Sequence, residues 1–162
     1  MEHIAVKHGS EEYLDSEKYQ LRYRGFQELD GPNSLRDFIA LVNRIRKRNP
    51  ALQSDWNLRF HKVDNEQIIC YSKATANRAN AILVVVNLDP NYTQAGWTQL
   101  DLEALGVDPR QPYQVHDLLT GAHYIWNGPR NYVELNPHRM PAHVFRLHHH
   151  LHSERDFDTF EG

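Results

Sequence analysis

The residues of this 162-residue chain equipped for proton transfer, metal binding or nucleophilic attack are 11 histidines, 21 carboxylates and a single cysteine, Cys70. His148, His149, His150 and His152 crowd near the C-terminus. Neutral imidazole is the commonest metal ligand, but a structural zinc site needs ligands fixed by packing, which the polar, aperiodic run HHHLHSERDFDTFEG does not offer. Casual nickel or copper uptake is what this run predicts, and no metal site or cofactor is expected. His61, His116, His123, His138 and His143 fall at strand ends or turns, where a hydrogen-bonded structural role is the first expectation. The chain holds no G-x-S-x-G, no glycine-rich phosphate loop and no H-E-x-x-H. Cys70 lies in an extended run, where burial raises a thiol pKa and leaves it inert. Carboxylates such as Glu11, Glu12, Asp15, Glu17, Asp64, Glu66, Asp117 and Glu134 are plentiful, but chain spacing cannot set two of them at glycosidase separation. No catalytic residue follows from the residues themselves. Trp56, Trp97, Trp126, Tyr92, Tyr124 and Tyr132 have ring faces that could stack on sugars, although aromatics in strands first suggest core packing or cross-strand pairs.

Apolar periodicity shows which elements must hold these side chains. Leu35, Phe38, Ile39, Val42 and Ile45 recur at helical spacing across Ser34 to Arg48. Ser34, with Asp37 three residues on, supplies a start, and Pro50 forbids continuation. Arg44, Arg46, Lys47 and Arg48 complement the negative end of the helix dipole and need no anionic ligand. Ahead of this helix, residues 1–32 are polar and aperiodic, yet they carry Tyr13, Tyr19, Tyr23 and Phe26, the composition of a segment that packs on something.

From Leu52 the pattern changes to short extended runs. Strands are predicted at Leu58–Lys62, Gln67–Ser72, Ala81–Asn87, Trp97–Leu102, Tyr113–Asp117, His123–Trp126, Tyr132–Leu135 and His143–Leu147, separated by turn residues such as Asp64-Asn65, Asp89-Pro90 and Asn127-Gly128. Short strands without helix-length connections predict a mainly β fold, an antiparallel sandwich or barrel. Ala81 to Val86 is apolar on both faces, which makes it a central strand covered from both sides.

Size and charge exclude several functions. The length fits one domain, or one domain with an appendage, and 40% hydrophobic residues suffice for a core. Lys and Arg number 18 against 21 Asp and Glu, a formal charge of −3, so no basic field exists to hold nucleic acid. One cysteine excludes an intramolecular disulfide framework and a Cys-based zinc cluster. The longest apolar run, Ala81 to Val86, is too short for a membrane helix, and Met1 to Ser10 lacks the apolar core of a signal peptide. A cytoplasmic protein without membrane contact is expected.

Seven blocks taken in order carry a resemblance to a known family: EEYLDSEKYQLR (11–22), VNRIRKRNPALQ (42–53), NLRFHKVDNEQIICYSK (57–73), LVVVNLDP (83–90), YQVHDLLTG (113–121), GPRNYVEL (128–135) and PAHVFRL (141–147). Together they resemble the C-terminal part of the bacterial maltose-1-phosphate maltosyltransferases of the α-amylase superfamily. The resemblance implies that residues 1–50 come from the end of a (β/α)8 barrel, with Ser34 to Arg48 as its last helix. It implies an α-amylase-type C-terminal sandwich over 51–147, and 148–162 is left as a flexible tail. The family moves maltosyl from maltose 1-phosphate to the non-reducing ends of α-1,4-glucans through a covalent glycosyl intermediate. Its catalytic aspartate and glutamate precede the blocks found here, so the chain alone is expected to be inactive. The lysine and tyrosine of the family's D-S-E-K-Y-Q motif line the donor pocket and match Lys18 and Tyr19. Two other readings compete: a free-standing carbohydrate-binding sandwich using exposed tryptophans, and a sandwich that serves only as a protein interaction surface. The apolar stripe of the Ser34 to Arg48 helix, left without a barrel, predicts a homodimer through that helix.

Overall fold

The computed structural model describes residues 34–148 together with His8 and Gly9. Lys18, Tyr19 and the histidine run beyond His148 lie outside the described residues. The chain divides into two compact units, 1–43 and 44–162. The first contains the opening turns of helix α1 (Arg36–Arg48), where Ser34 Oγ accepts the Arg36 N–H at 3.2 Å and Asp37 lies in the first turn. Arg46, Lys47 and Arg48 close the helix, so both ends carry the charge that the dipole favours. Leu35, Phe38, Ile39 and Val42 are 42 to 53% exposed, whereas Ile45, the fifth member of the apolar series, belongs to the second unit and is buried.

The second unit is mainly β. It contains β1 (Leu58–Val63), β2 (Ile68–Ala74), β3 (Ala81–Asn87), β4 (Gln94–Gln99), β5 (Tyr113–Asp117), β6 (His123–Trp126), β7 (Arg130–Leu135) and β8 (Ala142–His148). These strands pair antiparallel in the order β6-β5-β8-β3-β2-β1-β4-β7. The antiparallel β architecture expected from turn spacing is therefore present, with each expected strand found.

The largest difference in strand position is at β4, which runs from Gln94 to Gln99 instead of from Trp97 to Leu102. Asp101 ends the extended run because its Oδ1 accepts the Ala104 N–H at 3.0 Å and caps the short helix α2 (Leu102–Leu105). Gly106, at φ 74°, then closes α2 in the left-handed region.

All eight strands join in one hydrogen-bonded sheet, and the link between β1 and β4 consists of the pairs Lys62↔Gln99 and Val63↔Thr98. There the sheet turns a corner, so Val133 and Leu135 of β7 share one core with Cys70, Leu83, Val85 and Phe145. Strand β3 is buried on both faces. Ala81, Leu83 and Val85 enter the main core, while Ile82 and Val84 form a second cluster with Ala51 of the 3-10 turn Pro50–Gln53. Val86 and Leu52 pack against that second cluster.

Buried polar groups fix the loops around this frame. Asp117, at the end of β5, has no exposed surface. Its carboxylate accepts from His143 Nδ1 at 2.9 Å, Thr120 Oγ1 at 2.7 Å, and the backbone N–H groups of Leu119 at 3.1 Å and Val144 at 3.3 Å. Burial works to raise its pKa but is outweighed by the hydrogen bonds from His143, Thr120 and Leu119, which hold the carboxyl below the usual range. A depressed folded pKa adds stability above the unfolded value, near 4, that is lost as pH falls through the folded value. Asp117→Asn should therefore lower unfolding free energy at pH 7 by about 1–3 kcal/mol. Denaturant titrations of both proteins should show the gap narrowing below about pH 4; a gap that stays constant into acid would contradict this assignment.

Candidate functional site

Two clusters carry the residue types of a hydrolytic site, and neither has the required geometry. In the first, His61 Nε2 lies 2.7 Å from Ser72 Oγ across β1 and β2. The Asp101 backbone N–H points at His61 Nδ1 from 3.2 Å. A backbone N–H can only donate, so Nδ1 holds the lone pair and the proton sits on Nε2, facing the hydroxyl that a base would have to deprotonate. Ser72 is 3% exposed, out of reach of a substrate. The Asp101 carboxylate is engaged with the α2 cap and, at 2.7 Å, with Arg59. Burial lowers the His61 pKa, opposed by Asp101 and reinforced by Arg59, which keeps the ring neutral in its structural role.

The second cluster, Asp117 with His143, is the sealed carboxylate already described; His116 stacks on His123 beside it, with ring centroids 4.0 Å apart. Burial pushes the Cys70 thiol up to about 12. The inert strand cysteine expected from the sequence is what the structure holds. No group of three His, Cys, Asp or Glu among the described residues could hold a metal ion, and no helix there is long and apolar enough to cross a membrane.

Two further surfaces of the described residues face solvent. One is the outer face of β1, β2, β3 and β8. The pairing register lines up Phe60, Tyr71, Val84 and Val144 as one row across four strands. Phe60 is 62% exposed and Leu58, two residues before it, is 46% exposed. Ala51 and Leu52 cover the β3 part of this face, and the apolar surface continues uncovered onto β1.

The other is the outward face of β4 and β7. Period-2 alternation sends Asn131, Val133 and Leu135 inward and Arg130, Tyr132 and Glu134 outward. On the facing strand, Gly96 and Thr98 are buried, while Trp97 and Gln99 point out. Trp97 lies directly opposite Tyr132 with ring centroids 5.6 Å apart, tilted by 64°. Arg130 stands over the Trp97 ring at 5.1 Å, and the Tyr132 hydroxyl donates to Glu134 Oε2 at 3.2 Å. Partial desolvation and the Glu134 carboxylate raise the Tyr132 pKa, which keeps the phenol protonated.

The turn between β1 and β2 holds this strand pair in place. Asp64 Oδ1 accepts the Trp97 N–H at 2.6 Å and the Asp64 N–H donates to the Trp97 carbonyl at 3.3 Å. Asn65 Nδ2 donates to the Ala95 carbonyl at 2.9 Å.

The aromatic candidates thus separate. Trp126 packs on the core against Phe145, at 5.2 Å, and Tyr113. Trp97 and Tyr132 are the cross-strand pair that strand aromatics suggest, yet both are open to solvent, as are Trp56, Tyr92 and Tyr124. The signal for Trp97 is parity: with Leu100 buried, the residue three before it must point the other way.

Comparison with known proteins now supplies ancestry. The family model described as GLGE, C-terminal, matches residues 60–147. The α-1,4-glucan:maltose-1-phosphate maltosyltransferase of Corynebacterium glutamicum is 52% identical over 147 residues, covering 90% of this chain and 22% of its own length. That of Chlorobaculum tepidum is 45% identical over 152 residues, again covering 90% of this chain and 22% of its own length. This chain therefore spans about a fifth of the curated relatives it matches. Among solved structures, the maltogenic α-amylase AmyB of Thermotoga neapolitana aligns over 70% of this chain and 25% of its own, with a TM-score of 0.53 and 12% identity. An Anoxybacillus α-amylase aligns over 74% and 23%, with a TM-score of 0.52 and 15% identity. At these identities the likeness is one of fold.

The clamp on β4 generates its own prediction. A Cβ on Gly96 would lie 2.9 Å from Asp64 Oδ1, 3.0 Å from Val63 Cγ1 and 3.2 Å from Asn65 Cβ. Gly96→Ala should destabilise the chain by about 1–3 kcal/mol through overpacking. Thermal unfolding of this variant at the same midpoint as the parent chain would refute the clamp.

Proposed function

This chain belongs to the GLGE C-terminal family, and from that premise we propose that it works as the non-catalytic, C-terminal part of an α-1,4-glucan:maltose-1-phosphate maltosyltransferase. In this reading the whole enzyme moves maltosyl from maltose 1-phosphate to the non-reducing end of an α-1,4-glucan, as the names of its relatives indicate. The nucleophilic and acid/base carboxylates belong to a barrel encoded ahead of this sequence. Residues 1–50 complete that barrel, 51–147 form the supporting β domain, and 148–162 are a tail. Lys18 and Tyr19 grip the donor sugar, an ammonium with three donors beside a phenol that both donates and accepts.

The observation that carries this reading is the apolar row on the outer sheet face. Phe60 and Leu58 extend an apolar surface that the short 3-10 turn leaves uncovered. Such a surface is the mark of a contact with another folded body. The open helix residues Leu35, Phe38, Ile39 and Val42 are a second surface of the same kind, in the other unit. In the His61–Ser72 and Asp117–His143 clusters, Ser72 and Asp117 are buried and their polar atoms are spent on their partners within the fold. In the chain by itself, the helix stripe pairs two copies.

Three measurements test this. The pure chain should release no phosphate from maltose 1-phosphate above a heat-killed control. In a full-length enzyme carrying this sequence, Lys18→Ala and Tyr19→Phe should each lower donor kcat/KM by an amount equivalent to about 1–3 kcal/mol. Phosphate release by the chain, or unchanged donor kinetics in both variants, would overturn the assignment. Sedimentation should show a concentration-dependent dimer that Phe38→Glu disperses; a monomer at all concentrations would remove the pairing.

A further inference from the structure

We propose that the outward face of β4 and β7, centred on Trp97 and Tyr132, is a surface binding site for α-1,4-linked glucan, remote from the chemistry. The proposal rests on the reading of the parent as an enzyme that acts on α-glucan, and it adds a polymer site on this domain. Trp97 and Tyr132 are 44% and 51% exposed although both are large aromatics. A pyranose offers a C–H face to such rings and hydroxyl groups at its rim, so a sugar site needs apolar faces ringed by hydrogen-bonding groups.

The register supplies that arrangement on one face: Gln99 opposite Arg130, Trp97 opposite Tyr132, and Ala95 opposite Glu134. Arg130 and Gln99 bring donors at one end, Glu134 brings an acceptor at the other, and the short Ala95 side chain leaves room beside the rings. The rings meet at 64° instead of lying in one plane, which suits a chain that curves from one sugar to the next.

Charge selects the ligand class. Asp64 lies 3.9 Å from Arg130 at one end of the patch, and Glu134, the partner of Tyr132, stands at the other. The patch therefore has no excess positive charge for a phosphate or a nucleic acid strand, and an uncharged polyhydroxylated polymer fits it.

Position keeps the site available. The main core, with Val133 and Leu135 of β7 on one side and Leu83 and Val85 of β3 on the other, separates this face from the outer cluster of Ile82 and Val84. The site is also preorganised, because Asp64 holds both backbone polar groups of Trp97 and Gly96 permits that approach.

The test is chemical-shift mapping of the isotope-labelled chain titrated with maltoheptaose and with maltohexaose, whose β-1,4-linked counterpart of equal length, cellohexaose, is the linkage control. Shifts should concentrate at Ala95, Trp97, Gln99, Arg130, Tyr132 and Glu134, and cellohexaose should produce weaker ones. Trp97→Ala and Tyr132→Ala should each weaken maltoheptaose binding about tenfold or more, while Trp56→Ala, at an exposed tryptophan elsewhere, should leave it unchanged. Mapping on the unsubstituted chain decides the matter even where a variant fails to fold. No shifts, shifts centred elsewhere, or equal response to cellohexaose would overturn the proposal. A chain that binds maltoheptaose here while the full-length protein fails to extend it would instead overturn the maltosyltransferase reading and leave the site standing.

Discussion

A strand without a polar face has to be covered twice, and the rest of the β unit is arranged around that requirement in β3. Its inner residues, Ala81, Leu83 and Val85, need a second layer, which exists because the sheet turns back at the short β1–β4 junction. Its outer residues, Ile82 and Val84, are covered by Ala51, and an amide pair fixes that cover: Asn80 Nδ2 donates to Asn49 Oδ1 at 3.0 Å and Asn80 Oδ1 accepts the Ala51 N–H at 3.1 Å. Asn49 Nδ2 in turn donates to the Ile45 carbonyl at 2.8 Å, so one buried network sets where α1 stops and where the cover begins. The cover is shorter than the face it sits on. That shortfall at Phe60 and Leu58 is the physical basis for assigning this domain a folded neighbour.

The clustered reactive side chains and the exposed aromatic faces lie in different parts of this molecule. His61, Ser72, Asp117 and Cys70, of the residue types usual in catalysis, are buried in the frame, and the His61 ring is oriented to hold strands together. Chemically inert aromatics instead reach the solvent. A search by residue type leads to the frame, and a search by exposure leads to the outward faces.

Much of the frame was legible because its signals are local. Turn residues at short intervals mark eight strands, and β3 announces its central place by lacking a polar face. The run RNYVEL alternates so regularly that Tyr132 is readable as an outward residue. The bounds of β4 are hard to read because its inward residues, Gly96 and Thr98, are small or polar, while Leu100 and Leu102 carry the apolar pattern on toward what is a capped turn of helix. Helix α2 is too short to show a period at all. The opposition of Trp97 to Tyr132 joins segments more than thirty residues apart, a matter of register that no local window contains. Lys18 and Tyr19 came from resemblance alone and lie outside the described residues.

The position of β8 has a consequence for how the domain is made. It is the last strand among the described residues, yet it lies inside the sheet, hydrogen-bonded to β5 on one side and β3 on the other. During synthesis, β1 to β7 emerge before the segment that joins β5 and β6 to the remainder. Until residues 142–148 arrive, β3 and β5 each present an unpaired edge, and the inner side chains of β3 lack the cover of Phe145 and Leu147. Contacts of such long sequence separation form slowly. A ribosome stalled before Ala142 would therefore hold two incomplete sheets with sticky edges, and the nascent domain depends on protection from aggregation until its final strand inserts.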